Sequence, residues 1–413
     1  MSTRSLLLFC ALPLFIGLER LAHYLARAVL ALHVVSSPPD GFGMSTASVG
    51  SIFAQLAGFG VVSPILGGLV AMALGPAVTL AIGAFVASAG YAVLGVGSVE
   101  LLPVAIGLIA AGTGMCRPSG IALAASELRD RPEGVRSALF FLLYVAINAG
   151  AVVGPFAAGI GGGAMGFRVV FGISAGIALV AAFVGGGLAA ALRYAGGSGD
   201  SSSSSPPSPG GRAAFGVILL WVALAPSILM QAAEVRAQYT IFGGPSGMGN
   251  TLLHTINPIV VMVVSLGACA ALLVVSLAAK WTIPTLSFIG VALVAWGMAS
   301  GLLAAAPRGG GALPLLIAVA VVSAAGEAVV GPLSLGRAAA SSIPRFSTLF
   351  VAGWLAATGA VSMLAHAVIG HVDAQIVSGA SAVFSVLAGA GLIALAKPLE
   401  RAFFSEVRDT PSA

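Results

Sequence analysis

Glu19, Arg20, His23, Tyr24 and Arg27 stand together in a stretch, 6–35, that is otherwise apolar. The stretch is long enough to cross the hydrocarbon core of a bilayer, for which about 20 helical residues suffice. A charge at that depth costs about 2.5 kcal/mol or more on an isolated helix, so Glu19, Arg20 and Arg27 must face other protein or a water-filled passage. Arg20 and Arg27 are seven residues apart, two helical turns, which brings them to one face with Tyr24 and His23 beside them. Guanidinium forks grip carboxylates in a bidentate fashion, and an imidazole titrates near neutral pH. Such a face reads as the wall of a substrate pathway, with His23 a candidate switch.

Four more charges fall inside apolar segments: Arg117, Glu234, Arg236 and Glu327. Arg117 lies in Gly112-Thr113-Gly114-Met115-Cys116-Arg117-Pro118, and Glu327 in Gly326-Glu327-Ala328-Val329-Val330-Gly331-Pro332. In both places small residues permit close approach of a neighbouring helix, and a proline frees a carbonyl. Arg20, Arg27 and Arg117 belong to the amino-terminal half and Glu327 to the carboxy-terminal half. A ligand bridging the halves would meet cations on one side and an anion on the other, which suits a zwitterion. The alternative is that the charges only pin helices together, Glu19 with a facing arginine and Glu327 with an arginine across the interface. Buried pairs are weak evidence of stabilisation, and intramembrane ionisable groups mark pathways often, so the functional reading is favoured.

The elements that must position these residues are membrane helices. Of 413 residues 59% are hydrophobic and only 8% charged, far below the roughly 25% of soluble domains. Apolar segments run over approximately 6–35, 47–74, 76–98, 101–126, 135–163, 167–192, 213–242, 250–279, 282–305, 312–336, 346–370 and 378–396. They are too long, and too little alternating, for barrel strands. The first is also too long and too charged for a secretory signal peptide. The expected fold is therefore an all-α polytopic membrane protein with twelve transmembrane helices. Residues 195–212, with five consecutive serines at 201–205 among glycines and prolines, read as a flexible linker. It divides the chain into six-helix bundles over 1–194 and 213–413.

Charge placement orients the chain. If the amino terminus is cytoplasmic, Arg4, Arg129, Arg131, Arg136, Arg193, Arg212, Lys280, Arg337, Arg345, Lys397, Arg401 and Arg408 share its side, while Arg168 and Arg308 lie opposite. Twelve against two puts both termini and the serine linker in the cytoplasm, so the expected location is the cell's inner membrane. Two bundles joined by a long cytoplasmic linker match the major facilitator superfamily architecture, whose halves rock about a central site.

Other chemistry is poorly represented. No Ser-His-Asp order, no paired metal-ligand histidines and no Gly-x-x-x-x-Gly-Lys loop occurs, so neither an enzyme nor a metal or other cofactor is expected. The formal charge of +5 is explained by topology and does not suggest nucleic acid. Cys10, Cys116 and Cys269 read as small core residues, and His33, His254, His366 and His371 as interfacial or packing residues. Trp221, Trp281, Trp296 and Trp354 read as interfacial anchors or interhelical packing.

At its charged stretches the sequence resembles the proton-dependent oligopeptide transporter family, a branch of the major facilitator superfamily. Glu19-Arg20, Tyr24 and Arg27 match the first-helix signature E-x-x-E-R-F-x-Y-Y-x-x-R, with Leu21 for Phe and His23 for the first Tyr. Phe140-Phe141-Leu142-Leu143-Tyr144-Val145-Ala146-Ile147-Asn148-Ala149-Gly150 looks like its F-Y-x-x-I-N-x-G segment, and the Arg117 stretch like G-T-G-x-x-K-P. Gly326-Glu327 with Gly331-Pro332 resembles G-E-x-x-x-S-P, and Asn257-Pro258 an N-P in the eighth helix.

The resemblance implies proton-driven uptake of di- and tripeptides by alternating access. Arg27 would meet the peptide carboxylate, Glu327 the amino group, and Tyr24, Tyr144 and Asn148 the peptide body. Arg20 with Arg117 would form the coupling network, extended by Glu19, Glu234 and His23. A monomer acting on a small peptide or amino-acid-like molecule in the bilayer is expected. Two family acids are missing, since Ile16 and Met230 stand in their places, and 67–75 lacks the family's charged loop. The alternatives are therefore transport of amino acids or drugs with altered or lost proton coupling, and a transporter-like sensor that moves nothing.

Overall fold

The computed structural model describes residues 3–129, 131–196, 215–222, 224–225, 248–278, 284–306, 313–340, 346–369 and 372–404. Eleven long helices account for nearly all of them: α1 (Thr3–Val35), α2 (Thr46–Leu74), α3 (Pro76–Val96), α4 (Leu102–Glu127), α5 (Glu133–Met165), α6 (Phe167–Gly196), α7 (Met248–Ala278), α8 (Thr285–Ala304), α9 (Leu313–Ala340), α10 (Ser347–Ile369) and α11 (Ala374–Leu399). A single π-helical turn, Glu400–Phe404, follows. Each helix overlies one of the expected apolar segments. Of the remaining segment, 213–242, only helical residues 215–222 and 224–225 are described.

Ten of the helices are long and apolar enough to cross a membrane, and α10 contributes the shorter apolar stretch Ser347–Val361. Within hydrocarbon a helix satisfies every backbone group internally, which is why these sequences take this form. Large apolar side chains face outward along it, Phe156 at 72% and Phe183 at 73% exposure among them. That surface needs lipid around it. The fold is thus an all-α multi-pass membrane protein.

Turns follow local chemistry. Gly75 alone joins α2 to α3 at φ 84°, a conformation other residues adopt only with strain, and Pro76 opens α3 where its missing N–H costs nothing. Between α1 and α2, Phe42 N–H donates to His33 O at 3.0 Å and Met44 N–H to Val34 O at 2.9 Å. His33 Nδ1 sits 2.8 Å from Asp40 O, and its ring packs on Phe42, Phe167 and Phe171. Its expected packing role is what the structure shows.

The chain forms two compact units. The first comprises Met1–Asp130, Ala146–Ser204 and Arg345–Ala356. In it α3 packs against α4 and α6, α1 against α6, and α2 against α4. Glycines set the spacing. A Cβ on Gly83 would come within 2.8 Å of Gly112 O, one on Gly114 within 2.5 Å of Ser63 Cβ, and one on Gly67 would strike Gly114 O. Lipid tails are as apolar as leucine, so such helices associate through close van der Waals contact of small residues.

The second unit comprises Arg131–Val145, Ser205–Pro344 and Ala357–Ala413. Here α8 and α11 meet backbone to backbone: a Cβ on Gly290 would lie 2.7 Å from Gly389 O, and one on Gly389 2.5 Å from Gly290 O. Three helix ends converge on Arg337, which is buried at the end of α9. It pairs with Glu400 at 2.8 Å and with Glu133 of α5 at 3.2 Å, and the Thr285 hydroxyl donates to Glu133 at 2.6 Å.

Cys116 and Cys269 are buried as expected, but Cys10 is exposed. Lipid and protein core solvate a small apolar side chain equally well, so its position on an apolar segment did not decide which it faces.

Candidate functional site

The charged turns of α1 are built into the first unit. Glu19 and Arg20 are buried, at 2% and 3% exposure. The Arg20 guanidinium donates to both Glu19 oxygens, Nε to Oε2 at 2.5 Å and Nη2 to Oε1. Glu19 therefore closes on its own neighbour rather than only on a facing arginine. Long flexible side chains allow this even though adjacent helical residues point in different directions. Arg27, two turns on, is exposed, with Tyr24 half-buried between them. The His23 ring meets Tyr24 edge-on at 5.5 Å, and His23 Nδ1 is buried without a hydrogen-bond partner among the described residues.

α5 reaches this turn through bare backbone. A Cβ on Gly150 would come within 2.8 Å of Leu21 N, and one on Gly154 within 2.8 Å of Tyr24 Cβ. Four residues apart, the two glycines form one stripe on which α1 rests. Asn148 precedes this stripe and is buried.

α4 brings the third arginine. Gly112 abuts α3 and Gly114 abuts α2, so the Gly-Thr-Gly of the motif is a packing device. Thr113 turns inward on its own helix, its hydroxyl donating to Ile109 O at 2.9 Å. Arg117 follows one turn later, exposed and within the field of Arg20, Glu19, Tyr24 and Arg27. Tyr91 of α3 shares that field with Glu19, Arg20 and Arg117, and its buried hydroxyl has no partner among the described residues. Sequence reasoning missed Tyr91, because a single tyrosine in an apolar run carries no spacing signal. The Gly83–Gly112 contact is what draws α3 beside the arginines.

Ile16 occupies the place where the resemblance sets an acid. It is buried, and a Cβ on Gly120 would meet Ile16, Leu80 and Leu12. On its Gly120 side its company is apolar.

The second unit gathers another set. Asn257 Nδ2 of α7 donates to Glu327 Oε2 of α9 at 3.2 Å. Tyr144 lays its hydroxyl over Gly331, one turn beyond Glu327, and packs with Val261, Ala324 and Ala328. The glycine of G-E-x-x-x-G is therefore the seat of the tyrosine ring, and Asn257, noted only as part of a motif, is a direct partner of Glu327. Glu234, Arg236 and Met230 lie outside the described residues, as do the serine linker from 197 to 212, Lys280, Trp281 and Arg308. Side chains of His254, His366 and His371 are likewise outside them.

Comparison with known proteins gives concordant results. Residues 72–186 match the POT family model, PTR2, across the stretch that holds both the Arg117 and the Asn148 motifs. The peptide transporter POT, solved as a mutant in complex with alafosfalin, superposes with a TM-score of 0.65 at 19% identity, over 96% of this chain and 95% of that one. A POT family transporter in complex with 5-aminolevulinic acid gives 0.64 at 14% identity, over 95% and 96%. The POT family transporter PepTSo gives 0.61 at 14% identity, over 95% and 98%. The fold is the one these solved transporters share. The chain thus shares the fold of solved POT transporters over nearly its whole length, and residues 72–186, which hold its charged fourth and fifth helices, are similar to the POT family.

Proposed function

We propose that this protein carries di- and tripeptides across the cell's inner membrane by proton-coupled alternating access. Arg27 takes the substrate carboxylate, Glu327 its amino group, and Tyr24, Tyr144 and Asn148 the peptide body. Glu19, Arg20, Arg117, Glu234 and His23 form the coupling network. The observation that carries the reading is the pair Arg27 and Arg117, exposed at membrane depth in one unit, while Glu327 is oriented by Asn257 in the other. Neighbouring structures hold alafosfalin, 5-aminolevulinic acid and a thioalcohol conjugated peptide, which supports a small zwitterionic substrate. The basic bias supports cytoplasmic termini. The moving bodies are six-helix bundles, 1–194 and 213–413, joined by the linker 195–212. The protein works as a monomer, without a cofactor, on the proton gradient.

Uptake of labelled dialanine into proteoliposomes tests this, with an inward proton gradient and after its collapse. Accumulation that disappears with the gradient is the expected result. Equilibration that ignores the gradient would refute coupling and favour a facilitator. Ile16 favours that second reading, since isoleucine cannot exchange a proton. No uptake at all would remove the peptide reading.

Glu327→Gln keeps the hydrogen bond from Asn257 and deletes the charge. It is expected to abolish discrimination between dialanine and its amino-acetylated form in competition assays. Unchanged discrimination would take Glu327 off the amino group.

A further inference from the structure

Tyr91 of α3 is 2% exposed, and its hydroxyl has no hydrogen-bond partner among the described residues. A buried polar group left unmet costs stability that a phenylalanine in the same place would not. Packing shows where this hydroxyl lies. Phe15 of α1 and Ala81 of α3 flank Gly185 together, and farther along Tyr91 shares a buried cluster with Ala22, Leu25 and Ala26. The two helices therefore run in the same direction and nearly level. Glu19, Ala22 and Ala26 follow one another at helical spacing on one face of α1, the face turned to that cluster. A tyrosine on a helix leans back toward the amino terminus, here from the level of Leu25 toward that of Glu19 and Arg20. In keeping with that placement, Glu19, Arg20, Cys116 and Arg117 are the groups whose charge reaches the phenol.

Both Glu19 oxygens accept from Arg20, so the Tyr91 hydroxyl stands idle beside a closed pair. Coupling has to open that pair, and Glu19 then needs a new hydrogen bond at the same buried depth. A phenol serves either protonation state: its O–H donates to a carboxylate, and its oxygen accepts from a carboxylic acid. We infer that Tyr91 is a positioning residue of the coupling step, the alternate partner that holds Glu19 whenever Arg20 releases it. The inference rests on the coupling role proposed above for Glu19 and Arg20. His23, Tyr24 and Arg27 of α1, with Cys116 and Arg117 of α4, are the other titratable or charged groups of this neighbourhood.

Tyr91→Phe removes one oxygen and keeps the ring. In thermal unfolding of the ligand-free protein in detergent the variant is expected to match or exceed the parent, because an idle buried hydroxyl is deleted. Gradient-driven dialanine uptake is expected to fall about tenfold or more, the value of one hydrogen bond to a charged group. Undiminished uptake overturns the inference. So does a fall in uptake accompanied by a lower unfolding temperature, which would make Tyr91 a packing residue. A second measurement needs no substrate. Infrared difference spectra of the protein between neutral and acid pH should contain a carboxylic-acid carbonyl band that Glu19→Gln removes. In Tyr91→Phe that band is expected at higher frequency, the mark of a carboxylic acid that has lost its acceptor. An unshifted band, or no band assignable to Glu19, overturns the inference and leaves the peptide reading standing. If the parent takes up no dialanine the peptide reading falls, and the infrared shift alone decides the role of Tyr91.

Discussion

Arg27→Ala is expected to abolish measurable peptide binding, whereas Arg27→Lys retains a weak remnant. Arg27 is the exposed guanidinium two turns beyond the buried Glu19–Arg20 pair, on a helix held in register by Gly150 and Gly154. A hydrogen bond to a charged group contributes about 1.5–3 kcal/mol, and a bidentate fork makes two, so truncation should weaken binding by well over tenfold. Lysine restores the charge without the planar fork, and one point contact replaces two. Calorimetric titration of each variant with dialanine is the check. Equal affinity in parent and alanine variant would show that the carboxylate docks elsewhere. The buried Glu19–Arg20 pair stays intact in both variants, so thermal stability should stay near that of the parent and separate a binding defect from a folding defect.

The second large effect concerns stability. Gly114→Ala places a Cβ 2.5 Å from Ser63, a distance real side chains do not adopt, and the atoms in the way include backbone. α2 and α4 must move apart, which costs about 1–3 kcal/mol for overpacking, and Arg117 moves with them. Gly107→Ala on the same helix is the control, because nothing lies within 4 Å of its added Cβ. Alanine is the better helix former by up to about 1 kcal/mol, so Gly107→Ala should be neutral or stabilising. Thermal unfolding in detergent should rank Gly114→Ala below the parent and Gly107→Ala at or above it. Matching unfolding temperatures for the two variants would dismiss the close-packed interface between α2 and α4.

Much of the fold was legible because hydrocarbon demands long apolar helices, and only such runs satisfy it. Helix ends were less so. α11 begins at Ala374, four residues before the apolar run, because the Asp373 carboxylate accepts from Gln375 N–H and caps it. α9 continues to Ala340, past the apolar run, because Arg337 finds Glu133 and Glu400 at its end. Of the site, the charged residues announced themselves by their cost in lipid, and Glu19, Arg20, Arg27, Arg117 and Glu327 stand on that ground alone. Partner choice did not: a facing arginine stood for Glu19 only as the alternative to a pathway role, while side-chain length let its own neighbour Arg20 close on it. Tyr91 entered only through packing, and Asn257, noted only as part of a motif, gained its role only from its hydrogen bond to Glu327, which no spacing along the chain reveals.

The stripe of Gly150 and Gly154 under α1 has a kinetic consequence. Because α1 rests on α5 through bare backbone, a slide of one along the other would drive Tyr24 into the wall of α5. The two helices behave as a splinted pair, and any displacement of Arg27 carries Asn148 with it. If Arg27 takes a carboxylate and Asn148 the substrate body as proposed, the two contacts are expected to form together rather than one after the other.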